Sequence, residues 1–143
     1  MNMAIREAIK AYKLNEVPVG AVIIKDNKLI SSAYNETISL NDATAHAEII
    51  AIRRACEVLD NYRLNDCEMY VTLEPCMMCL GAILEARIKN LYIGLLDYKK
   101  GACISKMQLQ DSTLSYHKLN VFFYESKIYK FLLQNFFKNL RST

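Results

Sequence analysis

Apolar residues recur along this chain with two periods, and the switches between them mark out the elements. From Ala4 to Leu14 the residues Ile5, Ala8, Ile9 and Tyr12 fall on one side of a helix. Pro18 and Gly20 break that pattern. VGAVIIK, Val19 to Lys25, is then β-branched and continuous, as a buried strand requires. Asp26-Asn27 is a hairpin turn signal, and Lys28 to Tyr34 returns as a second, weaker strand. A polar loop, Asn35 to Asp42, leads into a helix over Thr44 to Asp60. CEMYVTL, Cys67 to Leu73, reads as a third strand. Pro75 suits the first turn of a helix over Cys76 to Ala86. NLYIGLL, Asn90 to Leu96, and the segment Leu119 to Tyr124 are the fourth and fifth strands. Asp97 to Tyr116 shows no clear period and is expected to be loop with at most a short helical turn. The last helix covers Lys127 to Leu140, with Ile128, Phe131, Leu132 and Phe136 at helical spacing.

Strands alternating with helices predict an α/β fold of three layers, with helices on both faces of one sheet. The opening antiparallel hairpin makes that five-stranded sheet mixed. No repeat, low-complexity segment or Pro/Gly-rich linker divides the 143 residues, so one domain is expected.

Composition narrows the class. At 52% hydrophobic the chain has enough apolar residues for a substantial core. No apolar run is long enough to span a bilayer. The start, MNMAIREAIKAYK, is amphipathic and carries Glu7, unlike a secretion signal. A soluble, cytoplasmic protein with no membrane partner is therefore expected. The net charge of +3 permits an anionic partner without requiring one. Lys118 to Thr143 holds five Lys/Arg and one acid, which by charge alone is a solvated helix face. The five cysteines are odd in number and come without a secretion signal, which argues against a disulfide framework. Cys56, Cys67 and Cys103 stand singly among apolar residues and read as small buried hydrophobes.

Cys76 and Cys79 differ, because they are three apart at a helix start and so share a face. The positive end of the helix dipole favours thiolate there. His46, in TAHAEIIAIRR (Thr44–Arg54), also stands at a predicted helix start. Two thiolates and one neutral imidazole suit Zn²⁺ and leave its fourth position open, as a catalytic site requires. Helix starts gather at one edge of an α/β sheet, which allows His46 and the cysteine pair to meet. Glu48, two residues after His46, is outside this ligand set and is placed to move protons. Each signal alone is weak. A Cys-x-x-Cys is more often a redox pair or half of a structural zinc site, and a histidine near an apolar helix face is usually just hydrogen-bonded. His-x-Glu followed by Pro-Cys-x-x-Cys, each at its own helix start, is much more specific. The other histidine, His117, has no cysteine near it in the sequence.

These residues resemble the zinc-dependent cytidine and nucleobase deaminases, and within them the bacterial tRNA-specific adenosine deaminases. Four stretches carry the likeness: EVPVGAV (Glu16–Val22), TAHAEI (Thr44–Ile49), NYRL (Asn61–Leu64) and YVTLEPCMMCLGAI (Tyr70–Ile83). Shorter echoes follow at Ala86-Arg87-Ile88 and in the Asp-x-Lys-x-Gly of Asp97–Gly101. The likeness runs from about Ala11 to Ala102 and fades towards the aromatic, basic last helix.

The resemblance implies a cytidine-deaminase-like fold and hydrolysis of adenosine to inosine at the wobble position of a tRNA anticodon. It implies one Zn²⁺ per chain on His46, Cys76 and Cys79, with Glu48 as proton shuttle, the roles generally described for zinc deaminases. It implies that Asn35 hydrogen-bonds the flipped base and that Asp97 and Lys99 line the RNA channel. It also implies a homodimer with the zinc sites near the interface, which the apolar helix carrying Met77, Met78, Leu80 and Ile83 would suit. Lys100 and Tyr98 depart from the family's usual Thr and small residue, and 103–119 matches poorly. The alternative is a deaminase of a free base or nucleotide, of guanine, cytosine or deoxycytidylate type, which shares every zinc-site residue. A third reading, a non-catalytic zinc-stabilised RNA-binding module, has no use for Glu48 or an open zinc position.

Overall fold

The computed structural model describes residues 1–113 and 115–142; Leu114 and Thr143 lie outside the described residues. The elements are α1 (Asn2–Lys13), β1 (Gly20–Lys25), β2 (Lys28–Tyr34), α2 (Ala47–Leu59), β3 (Glu68–Val71), α3 (Met77–Glu85), β4 (Asn90–Ile93), β5 (Asn120–Phe123) and α4 (Lys127–Arg141). A short 3-10 turn, Leu109–Asp111, is the helical turn expected before β5. The strands form one sheet in the order β2-β1-β3-β4-β5, mixed as expected.

Only β1 runs against its neighbours. It pairs antiparallel with both β2 and β3, and β3, β4 and β5 pair in parallel. Strands β2, β3, β4 and β5 therefore end at the same edge, where β1 begins. Asp26 and Asn27, both at positive φ, make the β1–β2 hairpin turn. Alternation along the strands sorts the residues to two faces. Ala21, Ile23, Met69, Val71, Leu91 and Ile93 join Ala47, Ile50, Ala51 and Ala55 of α2 and Leu80, Ile83 and Leu84 of α3 in the main core. The opposite face receives α1 and α4, where Ile5 and Ala8 pack with Tyr129. The three-layer α/β/α architecture holds.

Gly20 explains how closely α1 approaches the sheet. A Cβ there would run into the Ala4 carbonyl, lie 2.6 Å from the Ala8 amide nitrogen and 2.9 Å from Glu7 Cβ. Tyr129 fastens the other helix: fully buried, it donates its hydroxyl to the Pro18 carbonyl at 2.6 Å.

Several boundaries differ from expectation for local reasons. Helix α2 begins at Ala47, three residues later than expected, because Asp42 turns the chain first. Its Oδ1 accepts from both the amide and the hydroxyl of Thr44. Helix α3 begins at Met77, so Pro75 precedes the capping residue instead of lying in the first turn. Strand β4 stops at Ile93, where Leu95 turns its carbonyl to the Glu74 amide and Gly94 turns its own to Ser126. In α4 the buried residues are Tyr129 and Phe136, whereas Ile128 and Phe131 are exposed. The helix carries two apolar stripes at helical spacing, and packing on α1 selects the one containing Tyr129. Ile9, expected on the core side of α1, is likewise partly exposed, while Ala4, Glu7 and Ala11 are buried. Cys67 and Cys103 are buried as expected; Cys56 is half-buried, its thiol 3.8 Å from the Tyr62 carbonyl.

Among the described residues no helix is long and apolar enough to cross a membrane.

Candidate metal and catalytic centre

The starts of α2 and α3, which follow β2 and β3, bring their side chains together at the edge where four strands end. His46 is the N-cap of α2 and Cys76 the N-cap of α3. An N-cap side chain usually accepts from its own helix. Neither does so here, and both turn towards each other instead. The amide of Ala47 at the α2 start is served by Asn35, whose Oδ1 accepts from it at 2.8 Å. Asn35 thus frees His46 from capping. It also spends one acceptor on the fold.

His46 Nδ1 lies 3.4 Å from Cys79 Sγ and 3.8 Å from Cys76 Sγ. All three ligand atoms fall within 4.8 Å of one another. A tetrahedral ion with Zn–S near 2.3 Å and Zn–N near 2.0 Å holds its ligand atoms roughly 3.5–3.8 Å apart. The cluster therefore fits zinc in spacing and in donor chemistry. Sequence spacing placed Cys76 and Cys79 together; the fold adds His46.

Electrostatics separates the two thiols. The hydrogen bond from Cys79 holds the Cys76 thiol down to about 3 against the opposing effect of burial, and His46 adds to the fall. The same thiolate, together with burial, pushes Cys79 well up. The Cys76 hydrogen bond also raises the His46 pKa, against burial. The Cys76 thiol is thus biased towards the thiolate form that binds a cation.

Glu48, in the first turn of α2, is only 4% exposed. Its Oε1 is buried and has no hydrogen-bond partner among the described residues. Burial pushes its pKa up to about 7; its own amide and His46 oppose the rise, and Cys76 adds to it. A buried carboxyl with an idle oxygen and a pKa near neutrality is suited to exchanging protons.

The remaining candidates stand around this centre. Asp97 Oδ1 accepts from the amides of Lys99 and Lys100, so it shapes its own turn. Lys99 is exposed. The charge of Lys100 acts on His46, which brings this departure from the family pattern close to the centre. His117 stays apart, with Nε2 2.7 Å from the Ile88 carbonyl.

Residues 1–141 match the family model described as MafB19-like deaminase. The chain belongs to that deaminase family. This MafB19-like deaminase is similar to the tRNA-specific adenosine deaminase of Aquifex aeolicus, at 42% identity over 142 residues, covering 99% of this chain and 94% of the relative. It is also similar to a structure from a study of A-to-I editing by tRNA:A34 deaminases at the wobble position of transfer RNA. The TM-score there is 0.85 at 45% identity, covering 87% of this chain and 95% of the other. The guanine deaminase of Bacillus subtilis gives 0.65 at 33% identity, covering 99% and 91% of the two chains. The deaminase fold expected from the sequence thus agrees with these likenesses.

Two buried carboxylates of this deaminase escaped the sequence reading. Glu16 accepts from the amides of Ile38 and Ser39 and the hydroxyl of Thr37, fixing the loop between Asn35 and His46. Glu74, beside the cysteine turn, accepts from the loop after β4. A signal was present: each carboxylate lies within a stretch that carries the family likeness, next to apolar residues and a proline.

Proposed function

We propose that this chain is a single-domain, zinc-dependent deaminase that converts adenosine to inosine at the wobble position of a tRNA anticodon. The observation that carries the chemistry is the idle, buried oxygen of Glu48 beside the His46–Cys76–Cys79 cluster. Near full-length likeness to tRNA-specific adenosine deaminases supports the substrate.

In this reading His46 Nδ1 and the two thiolates hold one zinc ion per chain. When bound, zinc lowers the pKa of water and supplies a nucleophile at neutral pH. Glu48 accepts a proton from the attacking water and delivers it to the adenine ring, then assists departure of ammonia. Water oxygen becomes bonded to C6, the C6–N bond breaks, and inosine remains. The NH₂ of Asn35 donates to the base, which orients it over the centre. Asp97 shapes the turn that presents Lys99, whose charge meets RNA phosphate.

The reading includes a homodimer in the cytoplasm. Met77, 62% exposed, and Met78, 38% exposed, leave apolar surface on α3 beside the zinc ligands, where a second copy would cover it.

Incubating the zinc-loaded protein with tRNA and sequencing the product tests the substrate. Adenosine read as guanosine at the wobble position is expected. The likeness to a guanine deaminase favours free bases as the second reading. Ammonia released from free guanine or a free nucleoside, with the tRNA unchanged, would establish that reading instead.

A further inference from the structure

Glu74 is 3% exposed and takes five hydrogen bonds from one loop. Oε1 accepts from the Asp97 amide at 3.0 Å and from the Ser105 hydroxyl. Oε2 accepts from the amides of Cys103, Ile104 and Ser105 at 3.1, 2.8 and 2.9 Å. No ion pair involves it among the described residues. A buried carboxylate needs such saturation, because each missing donor leaves charge unsolvated. Burial alone would raise its pKa, but the Ser105 hydroxyl and the amides of Ser105, Ile104 and Asp97 outweigh that and hold it low.

The loop is shaped to this group. Gly101 lies against the carboxylate so closely that a Cβ would collide with its carbon and both oxygens. The backbone adds one bond, from the Ala102 amide to the Pro75 carbonyl at 3.0 Å. The side chain thus belongs to the residue two before Cys76, yet it grips both ends of 97–105. That segment holds Asp97, Lys99 and Lys100.

We infer that Glu74 is a positioning residue: through its carboxylate it registers the substrate-facing loop 97–105 against the cysteine turn of the metal centre. The inference deepens the proposed function and rests on it for the identity of the substrate. The side-chain hydrogen bonds of Glu74 go to the loop, and its carboxylate is not part of the His46–Cys76–Cys79 group. It acts by setting where the Asp97 turn and its lysines stand relative to the bond being broken. Glutamine has nearly the same shape but turns one acceptor into a donor, which would face amide or hydroxyl donors.

The test uses zinc-loaded Glu74→Gln, Gly101→Ala and Ser105→Ala with a wobble-adenosine stem-loop RNA as probe, and amide hydrogen exchange of 97–105 without RNA. The inference expects all three variants to keep their zinc. In Glu74→Gln and Gly101→Ala, exchange of the Ile104 and Ser105 amides rises at least about 10-fold, and kcat/KM falls about 10- to 100-fold, mainly through KM. Ser105→Ala moves both readouts the same way by less. Combining Glu74→Gln with Gly101→Ala costs no more than the worse single change, because both act on one contact. Wild-type exchange in Glu74→Gln would overturn the inference. So would a loosened loop with kcat and KM unchanged, which marks a purely structural carboxylate. If Glu74→Gln fails to fold, Gly101→Ala and Ser105→Ala decide by the same criteria. If the wild-type protein leaves the RNA unconverted, the substrate reading falls, and the exchange arm alone decides whether Glu74 holds the loop.

Discussion

In the proposed function, Glu48 owes its proton-shuttling role to where one oxygen is kept. In water a glutamate would be ionised and solvated; in the first turn of α2 it is buried, with Oε1 unpartnered among the described residues. Replacing Glu48 by Gln keeps the shape and removes the titrating group. Turnover is expected to fall about 10²- to 10⁴-fold while zinc content stays unchanged. Metal analysis beside an inosine assay checks the pair of outcomes, and loss of zinc together with activity would refute the separation of roles. Asn35 performs two tasks with one amide. Its oxygen serves the Ala47 amide, and in the proposed function its nitrogen donates to the base. Asn35→Ala is therefore expected to cost about 1 kcal/mol of stability through the lost cap. It also lowers kcat/KM, and denaturant titration beside steady-state kinetics separates the two effects.

Two helix starts build the centre, and both depend on how their helices are seated. Helix α2 rests on β1 and β2 through small residues, Ala47, Ala51 and Ala55, and Ser31 donates its hydroxyl to the Ala51 carbonyl at 2.8 Å. Small side chains let the helix come close, which brings His46 within reach of the cysteines. On the opposite face Gly20 gives α1 the same closeness. A methyl group at Gly20 would collide with helix backbone, which cannot yield as a flexible side chain does. Gly20→Ala is expected to destabilise the fold by about 1–3 kcal/mol, the usual cost of overpacking. Its zinc stoichiometry stays unaltered, because α2 and α3 lie on the other face. Chemical denaturation with metal analysis on the refolded protein checks both.

In the molecule as a whole, one sheet edge gathers the ends of β2, β3, β4 and β5, and two carboxylates hold the loops that leave it. Glu16 binds the loop before α2 and Glu74 the loop after β4. For Glu16, burial raises the pKa, but hydrogen bonds from Ser39, Ile38 and Thr37 outweigh it and keep it below the ordinary 4.5; Glu74 likewise lies below 4.5. Carboxylates with lowered native pKa add stability that is fully present above 4.5 and is lost as pH falls through the native values. Thermal melts from pH 6 to pH 3 are therefore expected to show a declining Tm below about pH 4.5. Glu16→Gln should flatten that decline; an unchanged pH dependence would contradict the assignment. Zinc held by His46, Cys76 and Cys79 would link α2 to α3. Chelation is thus expected to lower Tm, by the equivalent of about 4 kcal/mol where free zinc had stood a thousandfold above its Kd. Melts with and without chelator provide the measurement.

Local chemistry was legible in the sequence wherever a rule acts over a few residues. Asp26-Asn27 marked the hairpin, β-branched VGAVIIK marked β1, and the spacing of Cys76 and Cys79 placed two thiols on one helix start. The alternation of strands and helices was enough for three layers and a mixed sheet. Likeness in four short stretches pointed to a deaminase. Where two local patterns compete, sequence did not decide: α4 carries apolar stripes through both Ile128 and Tyr129, and only packing against α1 buries the second. The meeting of His46 with Cys79, thirty-three residues away in the chain, required the reversed β1 and the shared edge of the other strands. The tasks of Glu16 and Glu74 were hidden for the same reason. A carboxylate in a sequence shows its charge but not the amides that will surround it, and those amides come from loops that only the folded chain brings to it.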